Sequence, residues 1–171
     1  MNEEVLKAKQ STVNEIVDKI KNSSTLVIAE YRGLSVAQLQ ELRRALRKEN
    51  CSMYVYKNSL VERAVKSLGY SGLDEYLSGP NAIFFSKELT TGPRLVAKFA
   101  KNFAKVAQNA PTLVIKGGLL EGEAIDAKKV NVLASLPGKE GLIASFLSCL
   151  QAPIRQFACT VKAVADAKSQ N

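Results

Sequence analysis

Two short basic segments carry the residues in this chain best suited to handling phosphate: Tyr31-Arg32-Gly33 and Tyr56-Lys57-Asn58. Each sets a cation beside an aromatic ring and a small or amide residue, a set that suits phosphates, riboses and stacked bases. Covalent catalysis has little to work with. The 171 residues include no histidine, which removes the usual general base and every Ser/His or Cys/His nucleophile pair. The cysteines, Cys51, Cys149 and Cys159, are odd in number and widely spaced. Neither a disulfide framework nor a metal site is expected, and all three read as reduced, small apolar fillers. Gly117 to Gly122 is glycine-rich but matches neither a dinucleotide fingerprint nor a P-loop, so no cofactor is implied.

The formal net charge of +8 points to an anionic partner, with nucleic acid the leading candidate, and the largest part of the basic excess falls before residue 70. A hydrophobic content of 46% is enough for a real core. No uninterrupted apolar run approaches the roughly 20 residues of a bilayer span, and the charged start Met1-Asn2-Glu3-Glu4 does not look like a signal peptide. A cytoplasmic protein with no membrane partner is expected.

The elements that must position the two segments are legible from periodicity. Val13, Ile16, Val17 and Ile20 form one stripe of an amphipathic helix over residues 3–21. Leu26 to Ala29 is a strand ending at Tyr31-Arg32-Gly33, and Ser35 with Gln38 makes a capping box for a helix whose apolar positions Val36, Leu39, Leu42 and Leu46 follow helical spacing. Cys51 to Tyr56 alternates as a second strand, and Asn58 or Ser59 is expected to cap the next helix, which Gly69 ends. A helical turn near Asp74 to Leu77 follows. Ala82 to Phe85 is a third, central strand. Pro93 opens a long helix with Leu95, Val96, Phe99, Phe103, Val106 and Ala107 on one face, and Thr112 to Ile115 begins a fourth strand that Gly117-Gly118 bulges. Asp126 caps a short helix closed by Leu136-Pro137-Gly138.

A strand-helix-strand crossover runs its two strands in one direction, so Arg32 and Lys57 should emerge as neighbours at one edge of the sheet. The element order predicts an α+β fold, a split βαβ ferredoxin-like core with a four-stranded antiparallel sheet of order 4-1-3-2 and added helices. A doubly wound parallel sheet is the alternative. Residues 1–136 form the globular domain. Residues 137–171 form an extended amphipathic helical tail with no further element to cover it.

Within that tail an eleven-residue repeat stands out, in which Ile143, Phe146 and Leu150 recur as Ile154, Phe157 and Val161, with Leu147 beside the first copy. Eleven residues is close to three helical turns, so both copies fall on nearly one face, about 16 Å apart. Two consecutive docking segments for one kind of partner are expected. Pro153 between them cannot donate to the carbonyl of Cys149 and should bend or loosen the helix.

Tyr31-Arg32-Gly33-Leu34, Tyr56-Lys57-Asn58-Ser59-Leu60, Ser78-Gly79-Pro80-Asn81 and the tail segment Leu150-Gln151-Ala152-Pro153-Ile154, in this order, resemble the bacterial large-subunit ribosomal protein ten family, found at the base of the ribosomal stalk. The resemblance implies RNA contacts at Lys9, Arg32, Gly33, Arg43, Lys57, Asn58, Gly79 and Pro80. It also implies that the domain sits on large-subunit ribosomal RNA beside ribosomal protein eleven of that subunit, and that the tail carries dimers of the acidic stalk protein, two by the repeat. Those dimers recruit translational GTPases. Read from the residues alone, an RNA-protein adaptor competes with a small enzyme using lysine or carboxylate chemistry in the edge loops. The adaptor is favoured because no acid pair or activated nucleophile is visible. A non-ribosomal RNA-binding adaptor would use the same physics.

Overall fold

The computed structural model describes residues 3–70, 72–106 and 113–169. In chain order these form α1 (Glu3–Lys21), β1 (Thr25–Glu30), α2 (Val36–Lys48), β2 (Ser52–Tyr54), α3 (Asn58–Ser67), a 3-10 turn (Asp74–Leu77), β3 (Asn81–Ser86), α4 (Thr91–Val106), β4 (Val114–Leu120), β5 (Glu123–Asp126), α5 (Ala127–Ser135) and α6 (Lys139–Ser169). The expected contribution of Ala107 to α4 and the expected strand start at Thr112 lie outside the described residues.

The sheet has the order β2-β3-β1-β4-β5, and its pairings are all antiparallel. Its first four strands have the ferredoxin-like order expected from the sequence, and the antiparallel pairing excludes the doubly wound alternative. The fifth strand is an addition. It folds back on β4 through the two-residue turn Glu121-Gly122, whose φ values of 48° and 96° are both left-handed, as a primed hairpin turn requires. With only Glu123-Ala124-Ile125-Asp126 to show, a four-residue strand has no alternation to read.

Both faces of the sheet are covered. On one face α1 and α3 bury Ile16, Ile20, Val61 and Val65 against Leu26, Ile28, Ile83 and Phe85. On the other, α2, α4 and α5 bury Leu42, Leu46, Val96 and Val130 against Val27, Ala29, Ala82 and Phe84. Coverage on both sides explains why β1 and β3 read as continuous apolar runs with no polar face.

Local chemistry sets several of the boundaries. Ser35 and Gln38 form the reciprocal capping box that opens α2, and the Asp126 carboxylate accepts from the Ala127 amide to start α5. α3 departs from expectation. Its N-cap is Lys57, which makes no side-chain capping bond, and neither Asn58 nor Ser59 caps it. β2 is also shorter than the alternating run suggested, because the alternation fails after Tyr54: Val55 is exposed where an inward residue was expected.

The chain divides into two compact units, Met1–Leu136 and Pro137–Asn171. The second is the single helix α6, which continues across Pro153. By length and composition α6 could cross a bilayer, against the expectation that no segment approaches that requirement. The difference is one of counting. Its apolar residues are diluted by serine, alanine and cysteine more than broken by charge, so the average is high where uninterrupted runs are short.

Candidate nucleic-acid interface

The strand directions create the candidate edge. β1 and β2 are each antiparallel to β3, which lies between them, so Arg32 and Lys57 leave the sheet at the same edge where Gly79-Pro80 leads into β3. The two cations therefore flank that loop two strand spacings apart, about 10 Å, and are not adjacent as expected. Arg32, Gly33, Lys57, Gly79 and Pro80 are all exposed.

A web of hydrogen bonds holds the edge. The Asn58 amide donates from Nδ2 to the Gly79 carbonyl at 2.9 Å, tying the start of α3 to the loop before β3. That contact explains why Asn58 does not cap its own helix. Asn81 donates from its own Nδ2 to the carbonyls of Tyr76 and Ser78, and the Tyr31 amide reaches the Pro80 carbonyl at 3.4 Å. Gly33 sits at φ 92°, a conformation open to glycine and costly for residues with a Cβ.

Lys116 completes the edge, and sequence reasoning missed it. The register between β1 and β4 slips from Ile28↔Gly117 to Ala29↔Ile115, which leaves Lys116 as the extra residue of a bulge. Its ammonium donates to the Ser78 carbonyl at 2.6 Å and pairs with Glu30 at 2.9 Å. The Gly117-Gly118 pair signals the bulge, but not the re-aimed lysine. This cation is committed to the scaffold, whereas Lys9, Arg32, Lys57 and Arg63 have no carboxylate within 4.0 Å among the described residues.

The aromatic members of the two segments are also structural. Tyr31 packs against the α2/α4 core, and Tyr56 against the α1/α3 core. Tyr56 stacks on Tyr54 with ring centroids 5.6 Å apart, and its hydroxyl accepts from Lys19 at 2.7 Å and donates to Glu15 at 3.2 Å. Lys19 also pairs with Glu15 and lies 3.6 Å from the Tyr54 ring centroid. Burial acts to lower the Lys19 pKa, but Glu15 and Tyr56 outweigh it and hold the ammonium above its ordinary range. Burial is also the main cause raising the Tyr56 phenol. The lysine's hydrogen bond holds the Glu15 carboxyl low. Neither tyrosine of the two segments is the free stacking platform expected from composition.

Two basic grooves adjoin the sheet. One, of about 320 Å³, lies between α1 and α3 and brings Lys9 and Gln10 against Lys57, Ser59 and Arg63 over Leu6, Val13 and Leu60. It brings Lys9 beside Lys57, which the sequence reading did not pair, and adds Arg63, which was missed although it lies one helical turn after Ser59. The other, of about 410 Å³, contains Arg43 and Arg47 beside the edge strand β2. Arg43 is half-buried there, away from the Lys9 groove.

On α6 the repeat is open to solvent. Phe146 is 65% exposed, Ile154 75% and Phe157 71%, and Ile143, Leu147, Leu150 and Val161 are each more than half exposed. Cys149 and Cys159 are exposed as well, so they are not the buried fillers expected; Cys51 is. They lie on a helix that buries no apolar face of its own.

A family model described as Ribosomal protein L10 matches residues 4–105, and one described as Ribosomal protein uL10 C-terminal region matches residues 136–171. The chain belongs to the ribosomal protein L10 family. It is 46% identical to a large ribosomal subunit protein uL10 of Macrococcus caseolyticus over 166 residues, covering 97% of this chain and 93% of the relative. A uL10 protein of Bacillus cereus is 44% identical over 97% of this chain and 96% of its own length. Proteins of the L10 family are structural components of the large ribosomal subunit, so the chain is cytoplasmic and ribosome-associated, and not an enzyme. Membership removes the enzyme and non-ribosomal adaptor readings.

Proposed function

We propose that this L10 family protein anchors the ribosomal stalk. The globular unit binds large-subunit ribosomal RNA through the edge formed by Arg32, Gly33, Lys57, Asn58, Gly79 and Pro80, with Lys9 and Arg43 extending the footprint, beside ribosomal protein eleven of the large subunit. α6 carries two dimers of the acidic stalk protein, one on Ile143, Phe146, Leu147 and Leu150 and one on Ile154, Phe157 and Val161. Those dimers recruit translational GTPases. The observation that carries the reading is the exposed eleven-residue repeat, an apolar stripe of the kind that a helical partner covers.

Affinity purification of the full chain from cells tests it. Large-subunit particles and a small acidic helical protein, at four copies per chain, are the expected companions. Large subunits without the acidic protein would overturn the role of the tail.

A further inference from the structure

We propose that the groove between α1 and α3 receives one unstacked nucleotide of the bound RNA, its base against Leu6, Val13 and Leu60 and its flanking phosphates on Lys9, Lys57 and Arg63. The inference rests on the RNA-binding reading and deepens it. A protein that only tracks a duplex backbone needs a flat basic surface, because phosphates lie on the outside of the helix. Here the cations stand around a recess with an apolar floor. That pairing fits a splayed-out nucleotide, which offers a planar apolar face and two phosphates at once and is the usual target of specific RNA recognition.

The recess is built from two regular faces. Leu6, Lys9 and Val13 follow one side of α1, and Leu60 and Arg63 follow one side of α3, so rigid helices hold both floor and rim. Leu6 is 45% exposed, which leaves the floor reachable from solvent. A volume of about 320 Å³ lies at the small end of ligand sites, suited to one base and too small for a helix of either kind. No carboxylate neutralises Lys9, Lys57 or Arg63 within 4.0 Å among the described residues, so the positive rim remains available to an anion. By contrast the Arg43 groove exposes less apolar surface and follows a strand edge, as a backbone contact would.

The test uses the full chain with deproteinised large-subunit ribosomal RNA as probe. Arg63→Gln is expected to weaken binding about three- to tenfold and to reduce the slope of log affinity against log salt by roughly 0.7. Leu6→Glu, which places a carboxylate on the floor without touching the buried core, is expected to weaken it further. A photoreactive amino acid at position 6 should crosslink to one unpaired nucleotide, with primer extension stopping at a single site. If both variants bind as wild type while Arg32→Ala weakens binding, the groove is overturned and the RNA edge stands. If all three bind as wild type, the RNA reading itself fails. Crosslinks spread along a paired stem, or in whole large subunits formed only to protein, would assign the groove to a duplex backbone or an acidic protein segment and overturn the proposal.

Discussion

Arg32 and Lys57 carry the first prediction because each is an exposed cation in the segment that follows a strand, with no carboxylate within 4.0 Å among the described residues. Replacing either by Ala should weaken RNA binding and flatten the dependence of log affinity on log salt by roughly 0.7 to 0.9 per lost contact. Salt titrations showing unchanged slopes for both variants would remove them from the interface. Gly33→Val should act through shape, since a β-branched residue at φ 92° costs on the order of 1 to 3 kcal/mol and re-aims Arg32. Its mark is reduced affinity with the salt slope kept at the wild-type value per remaining contact, together with a lowered melting temperature. At this scale the sequence discloses residue type better than residue duty. Arg32 and Lys57 were recognisable because each follows a strand-like run in the sequence. Lys116 and Tyr56 were not, because their partners Ser78, Glu30, Glu15 and Lys19 lie far away in sequence and become neighbours only through sheet register and helix packing.

Among the elements, those with long periodic patterns were legible and the short ones were not. α1 and α2 could be bounded because an apolar stripe or a capping box marks them, whereas β5 offers four residues and a Glu121-Gly122 turn without the usual asparagine or aspartate. α6 was visible as a helix with an apolar stripe, and its exposure at Phe146 and Phe157 bears directly on the second prediction, which concerns docking. Because the copies repeat every eleven residues, Phe146→Ala and Phe157→Ala should each abolish one stalk dimer and spare the other, at about 2 to 4 kcal/mol for the affected segment. Native mass spectrometry is expected to count two dimers on the wild type and one on either variant. Three dimers, or one held jointly by both copies, would contradict the repeat. Pro153 lies between the copies and leaves the Cys149 carbonyl without its helical donor, so Pro153→Ala should stiffen α6 while both dimers remain bound.

At the scale of the whole molecule, the two units make different demands on their surroundings. The buried apolar residues run from Ile16 to Val130, and none belongs to α6. A fragment ending at Leu136 therefore keeps both faces of the sheet and the whole described core. It should fold, melt within a few degrees of the full chain and bind RNA with the same salt slope, since a loss of even 1 kcal/mol would move the transition of a domain this size by roughly 3 to 6 °C. The complementary fragment 137–171 should behave oppositely. A lone helix in water gains little from packing, and this one carries a proline at its centre that removes a backbone hydrogen bond, so circular dichroism should find it only partly helical until the acidic dimers are added. The two fragments mixed should fail to link RNA to the dimers, because in the intact protein that link is covalent, running through Leu136-Pro137-Gly138. A 1–136 fragment that is molten, or whose transition falls by ten degrees or more, would mean that α6 stabilises the domain and that the division of labour between the units is wrong.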